Sequence, residues 1–355
     1  MLPQERTGTP ALRSNPHGQP SSASFLVALA ARGLFRPLTQ AVPANQAGLS
    51  IIDAVLRGAL IASGPRRGVH VTPVDQPFDG NRVRGDWVLG PGVDKDDPPI
   101  LYIHGGAFAM CSPKTHRGLM GEVSAASRRP VFAVRYRLAP RHPYPAAADD
   151  ALTAYRWLTC DRPGAPGGGA VAVAGDSAGG QLAVATALGA RAHGLPAPDA
   201  MLLMSPVLDL TCRLALARDL RCSDPFASAV SAARSLALYA GCADPTDPRI
   251  SVLDTDLSDM PPTLIQVGGR EMLLDDSRRF ADRMQLFESS ADLQVWRGQI
   301  HVFQAMFRVL PEARAALRSA GEFLSGSAER SSTQSALARP IRGDGSSNRR
   351  QEPRS

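Results

Sequence analysis

Residues 171–190 read VAVAGDSAGGQLAVATALGA. The four apolar residues Val171 to Ala174 have the pattern of a strand buried on both faces, and the small residues after Ser177, with Leu182, Val184 and Leu188 among them, read as a helix. Between strand and helix stands a polar serine, with Gly175 before it and Gly179 after it. A turn that sharp forces strained backbone angles on the serine and leaves no room for side chains at the flanking positions, which is why glycine is needed there. The hydroxyl then stands alone above a sheet.

Strand, G-x-S-x-G and helix together form a nucleophile elbow, here Gly175-Asp176-Ser177-Ala178-Gly179. A serine hydroxyl is a poor nucleophile at neutral pH, so the chemistry calls for a base, an orienting carboxylate and donors for an oxyanion. The segment YIHGGAF supplies donors at the end of another strand: the N–H groups of Gly105 and Gly106 can approach a developing oxyanion, joined by that of Ala178.

Seven histidines compete for the role of base: His17, His70, His104, His116, His142, His193 and His301. His17 lies in a polar lead, His193 in a polar loop after the elbow helix, and His104 belongs to the oxyanion loop. His301 follows the last strand, DLQVW, across a short loop, at the edge of a parallel sheet where such a base must sit. For the acid, GGREMLLDDS offers Glu271, Asp275 and Asp276. The two aspartates open a helical pattern and are explained by helix capping. Glu271 has no such explanation, and the order nucleophile, acid, histidine fits this architecture.

The surrounding chain supports an α/β fold. Short apolar runs (PILYIHGG, PVFAVRYRLA, AVAVAGDS, AMLLMSPV, PTLIQVGG, DLQVWRG) alternate with amphipathic segments of helix length, implying a parallel sheet wrapped on both faces. Residues 212–261 interrupt that rhythm with a helical stretch, SAVSAARSLALYAG, and such an insertion builds something over the sheet. Residues 25–35 and 49–61 carry two further helical patterns. Residues 1–22 and 326–355, rich in Ser, Pro, Gly, Gln and Arg, are expected to be disordered.

With 44% hydrophobic and 20% charged residues, the composition is that of an ordinary soluble protein. The net charge of +6 is concentrated in the arginine-rich C-terminal tail, so no nucleic-acid partner is expected. Five cysteines, none in a C-x-x-C pair, suggest neither a zinc site nor a disulfide framework, and the expectation is reduced thiols in a cytoplasmic protein, with cell-envelope association as the alternative. The apolar run FLVALAARGLF falls short of the roughly 20 residues a membrane span needs, leaving a packed surface helix or, as runner-up, peripheral contact with a membrane.

Several motifs in order carry a family resemblance over residues 70–322. They are His104-Gly105-Gly106-Ala107, SPKTHR, YRLAPRHPYPAAADDA from Tyr136, GDSAGG from Gly175, SPVLDLT from Ser205, PPTLIQVGGREMLLDDS from Pro261 and HVFQ from His301. With these motifs the chain resembles the hormone-sensitive lipase-like branch of α/β-hydrolases. The resemblance implies an α/β-hydrolase fold, a mostly parallel eight-stranded sheet flanked by helices. It also implies a catalytic domain over 70–325 and a cap built from helices of 23–69 and the insertion at 212–261. Implied too are Ser177 as nucleophile, His301 as base, Glu271 at the acid position, an oxyanion hole from Gly105, Gly106 and Ala178, and hydrolysis of short- to medium-chain acyl esters without metal or cofactor.

The same machinery would serve a lipase, lactonase or amidase, and a homodimer is compatible with the sequence. A binding protein that kept the fold is the rival reading. Gibberellin receptors took that course by losing the histidine, which His301 argues against. Three departures stand out: glutamate replaces the usual aspartate at 271, with Asp275 as fallback; Ala107 stands where glycine is common, narrowing the pocket floor; and Arg141 replaces the usual glutamate. Tyr136, Arg137 and Asp150 are assigned to structure.

Overall fold

The computed structural model describes residues 13–14, 18–62, 64–160, 170–244, 246–247 and 250–337. Its strands are β1 (Arg13–Ser14), β2 (His70–Phe78), β3 (Asn81–Leu89), β4 (Ile100–Ile103), β5 (Val131–Val134), β6 (Ala172–Asp176), β7 (Met201–Met204), β8 (Thr263–Gly268) and β9 (Ala291–Trp296). They form one sheet in the order β1-β9-β8-β7-β6-β4-β5-β3-β2. Pairing is parallel from β1 across to β5, while the hairpin β2–β3 runs antiparallel at the far edge. The sheet is thus an eight-stranded, mostly parallel α/β-hydrolase sheet extended by the two-residue β1, which pairs with Gln294 and Val295.

The central strands are short and apolar because both of their faces are covered. Along β4, Leu101 and Ile103 enter one core while Ile100 and Tyr102 enter the other, and β6 and β7 divide in the same way. That alternation is the two-residue repeat of a strand applied to two apolar faces instead of one. Strand order reverses about β4, which lies between β6 and β5 although it precedes both in the chain. Such a switch point opens a crevice at the carboxyl ends of the strands. Helix α6 (Ala178–Ala192) leaves directly from β6 there.

The helices expected near the N-terminus are α1 (Ser22–Ala30), continued by a wide π turn over Ala31–Phe35 and by α2 (Arg36–Ala41), and α3 (Gln46–Ala62). Helices α4 (Pro113–Ser127) and α5 (Ala146–Cys160) follow β4 and β5. Within the insertion, α8 (Ala229–Ala240) falls on the stretch read as helical, and α7 (Arg213–Arg221) was not anticipated. Among the described residues, no helix is long and apolar enough to cross a membrane.

The described stretches at both ends depart from the expectation of disorder. Of residues 1–22, those at 1–12 and 15–17 lie outside the described residues, but Arg13–Ser14 pair with β9 and the Ser21 hydroxyl caps α1. Helix α9 (Leu274–Leu286) precedes β9, and the last helix, α10, runs Pro311–Leu337, past the point at 326 where its composition turns polar; residues 338–355 lie outside the described residues.

The reason for the longer helix is tertiary. Leu317, Ala320 and Leu324 are buried against the sheet, and Arg129, 2% exposed, spans to Asp199 at 2.8 and 3.0 Å and to the Leu324 carbonyl. Ser327 completes the knot by donating to Asp199. Breaking a buried ion pair from one side leaves a charge without its partner. Arg129→Ala is therefore expected to cost about 3–5 kcal/mol of stability in urea unfolding. Hydrogen exchange should show the loss of amide protection concentrated in α10.

Candidate active site

Four loops meet at the carboxyl edge of the sheet, after β4, β6, β8 and β9. At the end of β6, Ser177 has φ 53° and ψ −121°, the strained turn that the flanking glycines predict. Each glycine faces backbone where a Cβ would stand: Gly175 against the carbonyl of Gly179, and Gly179 against the carbonyl of Ile103 at the end of β4. The crowding that demands glycine is therefore the close approach of α6 to both central strands.

His301 bridges the other two loops. Its Nε2 lies 3.0 Å from Ser177 Oγ, and its Nδ1 lies 2.9 Å from Glu271 Oε2. The tautomer with its proton on Nδ1 satisfies both contacts, since Nδ1–H donates to the carboxylate and Nε2 accepts from the serine hydroxyl. Glu271 is fully buried, and its second oxygen accepts from the Ser205 hydroxyl at 2.6 Å and from the Gly268 N–H. Ser205 in turn accepts from the Val302 N–H at 3.0 Å, so one hydroxyl fastens Glu271 to the loop that carries His301. Burial works against a charged imidazole, but Glu271, by hydrogen bond and by charge, with Asp224 and Asp176 behind it, holds the pKa of His301 above its ordinary 6.5.

The fallback acid Asp275 lies elsewhere, receiving Arg218, Arg221 and Arg278. Neither Asp275 nor Asp276 caps α9; both lie in its first turn. Asp276 is buried, and burial pushes its pKa well up. His104 is no rival base, because burial and then the neighbouring His116 push its imidazole down to about 3. His193 bonds the Gly189 carbonyl at the end of α6, and His17 lies outside the described residues.

One assignment for the oxyanion loop is corrected. The Gly105 N–H donates to Asp176 Oδ1 at 3.1 Å and so is already engaged. The same carboxylate oxygen accepts from Tyr102 at 2.7 Å, while Oδ2 faces His116 Nε2 at 3.4 Å. Asp176 is buried, which by itself would raise its pKa, yet His116 and Tyr102 hold it below the usual carboxylate range. It is the anchor that fixes the loop after β4 to the elbow. Among the described residues, the amides of Gly106, Ala107 and Ala178 keep no protein acceptor, and both Gly106 (φ 115°) and Ala107 (φ 51°) have the positive φ of a tight loop.

Sequence reasoning missed Asp176, Ser205 and Asp224. A signal existed for the first: a charge closing a fully apolar strand demands partners. Tyr136 and the Arg137–Asp150 ion pair serve structure, Tyr136 by donating to the His104 carbonyl at 2.8 Å. Nothing in the structure explains Arg141.

Above Ser177 and His301 lies an apolar cavity of about 420 Å³. Its walls include Leu34, Phe35, Leu49, Ile52 and Leu56 from the N-terminal helices and Phe226 from the insertion, with Ala107 also lining it. A strained serine, an imidazole paired with a buried carboxylate and unpartnered amides beside an apolar cavity can together perform acyl transfer.

Comparisons with known proteins bear on the fold and the class of reaction. Residues 100–305 match the family described as alpha/beta hydrolase fold. The chain is 37% identical over 239 residues to an acetyl-hydrolase of Streptomyces hygroscopicus, covering 67% of this chain and 78% of that protein. It is 34% identical over 319 residues to the carboxylesterase/phospholipase LipF of Mycobacterium tuberculosis, covering 86% and 82%. A crystal structure of an esterase from the bacterial hormone-sensitive lipase family superposes with a TM-score of 0.77 at 32% identity, covering 87% of this chain and 99% of that one. The chain belongs to the hormone-sensitive lipase-like family of α/β-hydrolases.

The electrostatics of the His301–Glu271 contact can be tested directly. Nuclear magnetic resonance titration should give His301 a pKa above 6.5, and Glu271→Gln should lower it, because the charge that stabilises the imidazolium is gone. An unchanged value in Glu271→Gln would show that the contact is not made in solution.

Proposed function

We propose that this carboxylic ester hydrolase cleaves esters of short- to medium-chain acids through an acyl-enzyme on Ser177. The observation that carries the reading is the continuous chain of contacts from Ser177 Oγ through His301 to Glu271, with both links at hydrogen-bond distance. His301 takes the serine proton as the hydroxyl attacks the ester carbonyl, and Glu271 stabilises the imidazolium that forms. The amides of Gly106, Ala107 and Ala178 receive the oxyanion. His301 then protonates the leaving alcohol, and water, activated by the same imidazole, releases the acid.

The acyl or alcohol portion of the substrate occupies the apolar cavity, which we read as roofed by a cap made from the N-terminal helices and the insertion. Its volume of about 420 Å³ lies within the range of ordinary small-molecule sites. Ala107 adds a methyl group to its lining and favours the narrower acyl groups.

Ser177→Ala and His301→Ala are each expected to lose on the order of 10⁶ in turnover of p-nitrophenyl butyrate. Near-wild-type turnover from either would remove the reading. Glu271→Ala should lose less, while Asp275→Ala, whose carboxylate faces arginines, should stay near wild type. Across p-nitrophenyl esters from acetate to palmitate, activity should peak at short to medium chains. Activity undiminished at palmitate would make the protein a lipase, and a folded protein inactive on every chain would favour a lactone, an amide or a bound ligand without turnover.

A further inference from the structure

One buried carboxylate takes no direct part in the acyl transfer above, yet its charge acts on His301 and its oxygens reach the acid loop. Asp224, in the segment between α7 and α8, is 0% exposed. Its Oδ2 accepts from the N–H of Met272, the residue after Glu271, at 2.9 Å, and its Oδ1 accepts from the N–H of Phe226 at 2.7 Å. On its other side the segment is tied down by Asp219, which accepts from the Asp224 N–H at 2.8 Å and from the Ala229 N–H at 3.0 Å.

Arg36, from α2, grips Asp219 with both terminal nitrogens at 3.0 and 3.1 Å and also donates to the carbonyls of Asp224 and Ala227. The Phe226 ring, held by this knot, stacks on Phe35 at 5.0 Å and faces His301 at 5.5 Å. Three distant parts of the chain therefore meet at one point, and two links leave it toward the active site: the Met272 N–H and the Phe226 ring.

A turn on the surface can be capped by an exposed aspartate at little cost. Burying the carboxylate requires compensation, which here comes from backbone amides of the acid loop and of the cavity wall. We propose that Asp224, clamped through Arg36 and Asp219, is a positioning residue that couples the roof of the cavity to the His301–Glu271 pair. The proposal rests on the esterase reading above. When the roof is seated, Met272 is fixed and Glu271 is aimed at His301; when the knot is loosened, the loop and the ring lose their common anchor.

The electrostatic surroundings agree. Asp224 faces Glu271 and His301, and His301 faces Glu271, Asp224 and Asp176. Arg218 stands behind Glu271, donating to its carbonyl and to that of Gly269 while pairing with Asp275. Burial raises the pKa of Asp224 against the two amides it accepts, to about 6. Its charge in the neutral range adds to the field that favours the imidazolium.

The test is Asp224→Asn, assayed on p-nitrophenyl butyrate and normalised to serine titrated with a fluorophosphonate. An amide side chain offers one acceptor oxygen where the carboxylate offers two, so one N–H loses its partner and the charge beside His301 goes. We expect kcat per titrated serine to fall roughly 10- to 100-fold, as small misplacements of reacting groups do, with KM little changed. The midpoint of the acid limb of kcat/KM should also move down. A purely structural role would lower the titratable fraction and the melting temperature while leaving both readouts where they are, and that result overturns the proposal.

Should Asp224→Asn not fold, Arg36→Met, which spares the carboxylate, decides. A fall in kcat per titrated serine supports the coupling, and a wild-type value overturns it. Failure of the esterase reading itself would be distinguishable, as a wild-type protein that neither turns over the ester nor is titrated by the fluorophosphonate; the coupling proposal would then fall with it.

Discussion

Asp176 ends a strand on which every other side chain is apolar or glycine, and its charge is enclosed between the two central strands. Left alone there, it would cost several kcal/mol and would shed its charge by taking up a proton. It keeps the charge because Tyr102, His116 and the Gly105 amide converge on it. That convergence ties the loop after β4 to the turn after β6, so the amides of Gly106 and Ala107 and the hydroxyl of Ser177 are set by one anchor. The elbow and the loop opposite it are two halves of the same polar knot.

The acid side is built on the same logic with different parts. Glu271 is one methylene longer than aspartate, and its carboxylate spans His301 on one oxygen and Ser205 with Gly268 on the other. A buried carboxylate with both oxygens occupied is oriented as well as charged. Ser205 extends that order to the His301 loop by accepting from Val302, and Arg218 and Asp224 hold the backbone on either side of Glu271. Contacts from the sheet side and from the insertion side thus meet at the Glu271 loop beside His301.

These constraints explain why the cavity walls come from segments so far apart in sequence. Phe35 precedes Phe226 by nearly two hundred positions, yet the rings stack because Arg36 next to the first grips Asp219 near the second. The N-terminal helices and the insertion both contribute apolar side chains to the cavity above Ser177.

Much of this was legible in the sequence because the signals are local. Apolar runs of strand length, the glycines flanking Ser177 and the placement of His301 after the last strand each arise from backbone geometry within a few residues, and such constraints leave their mark in adjacent positions. Glu271 could be preferred over Asp275 because the two aspartates open a helical pattern and Glu271 does not, although neither aspartate is the cap of α9. What tertiary structure decided are the long-range hydrogen bonds: that Gly105 gives its amide to Asp176, that Asp224 reaches Met272, and that α10 runs on past its apolar portion because Arg129, Asp199 and Ser327 close around it. A donor and an acceptor separated by scores of residues carry no shared pattern in the chain. Their partnership is fixed only when the sheet brings the loops to one edge and burial leaves each polar group a single available partner.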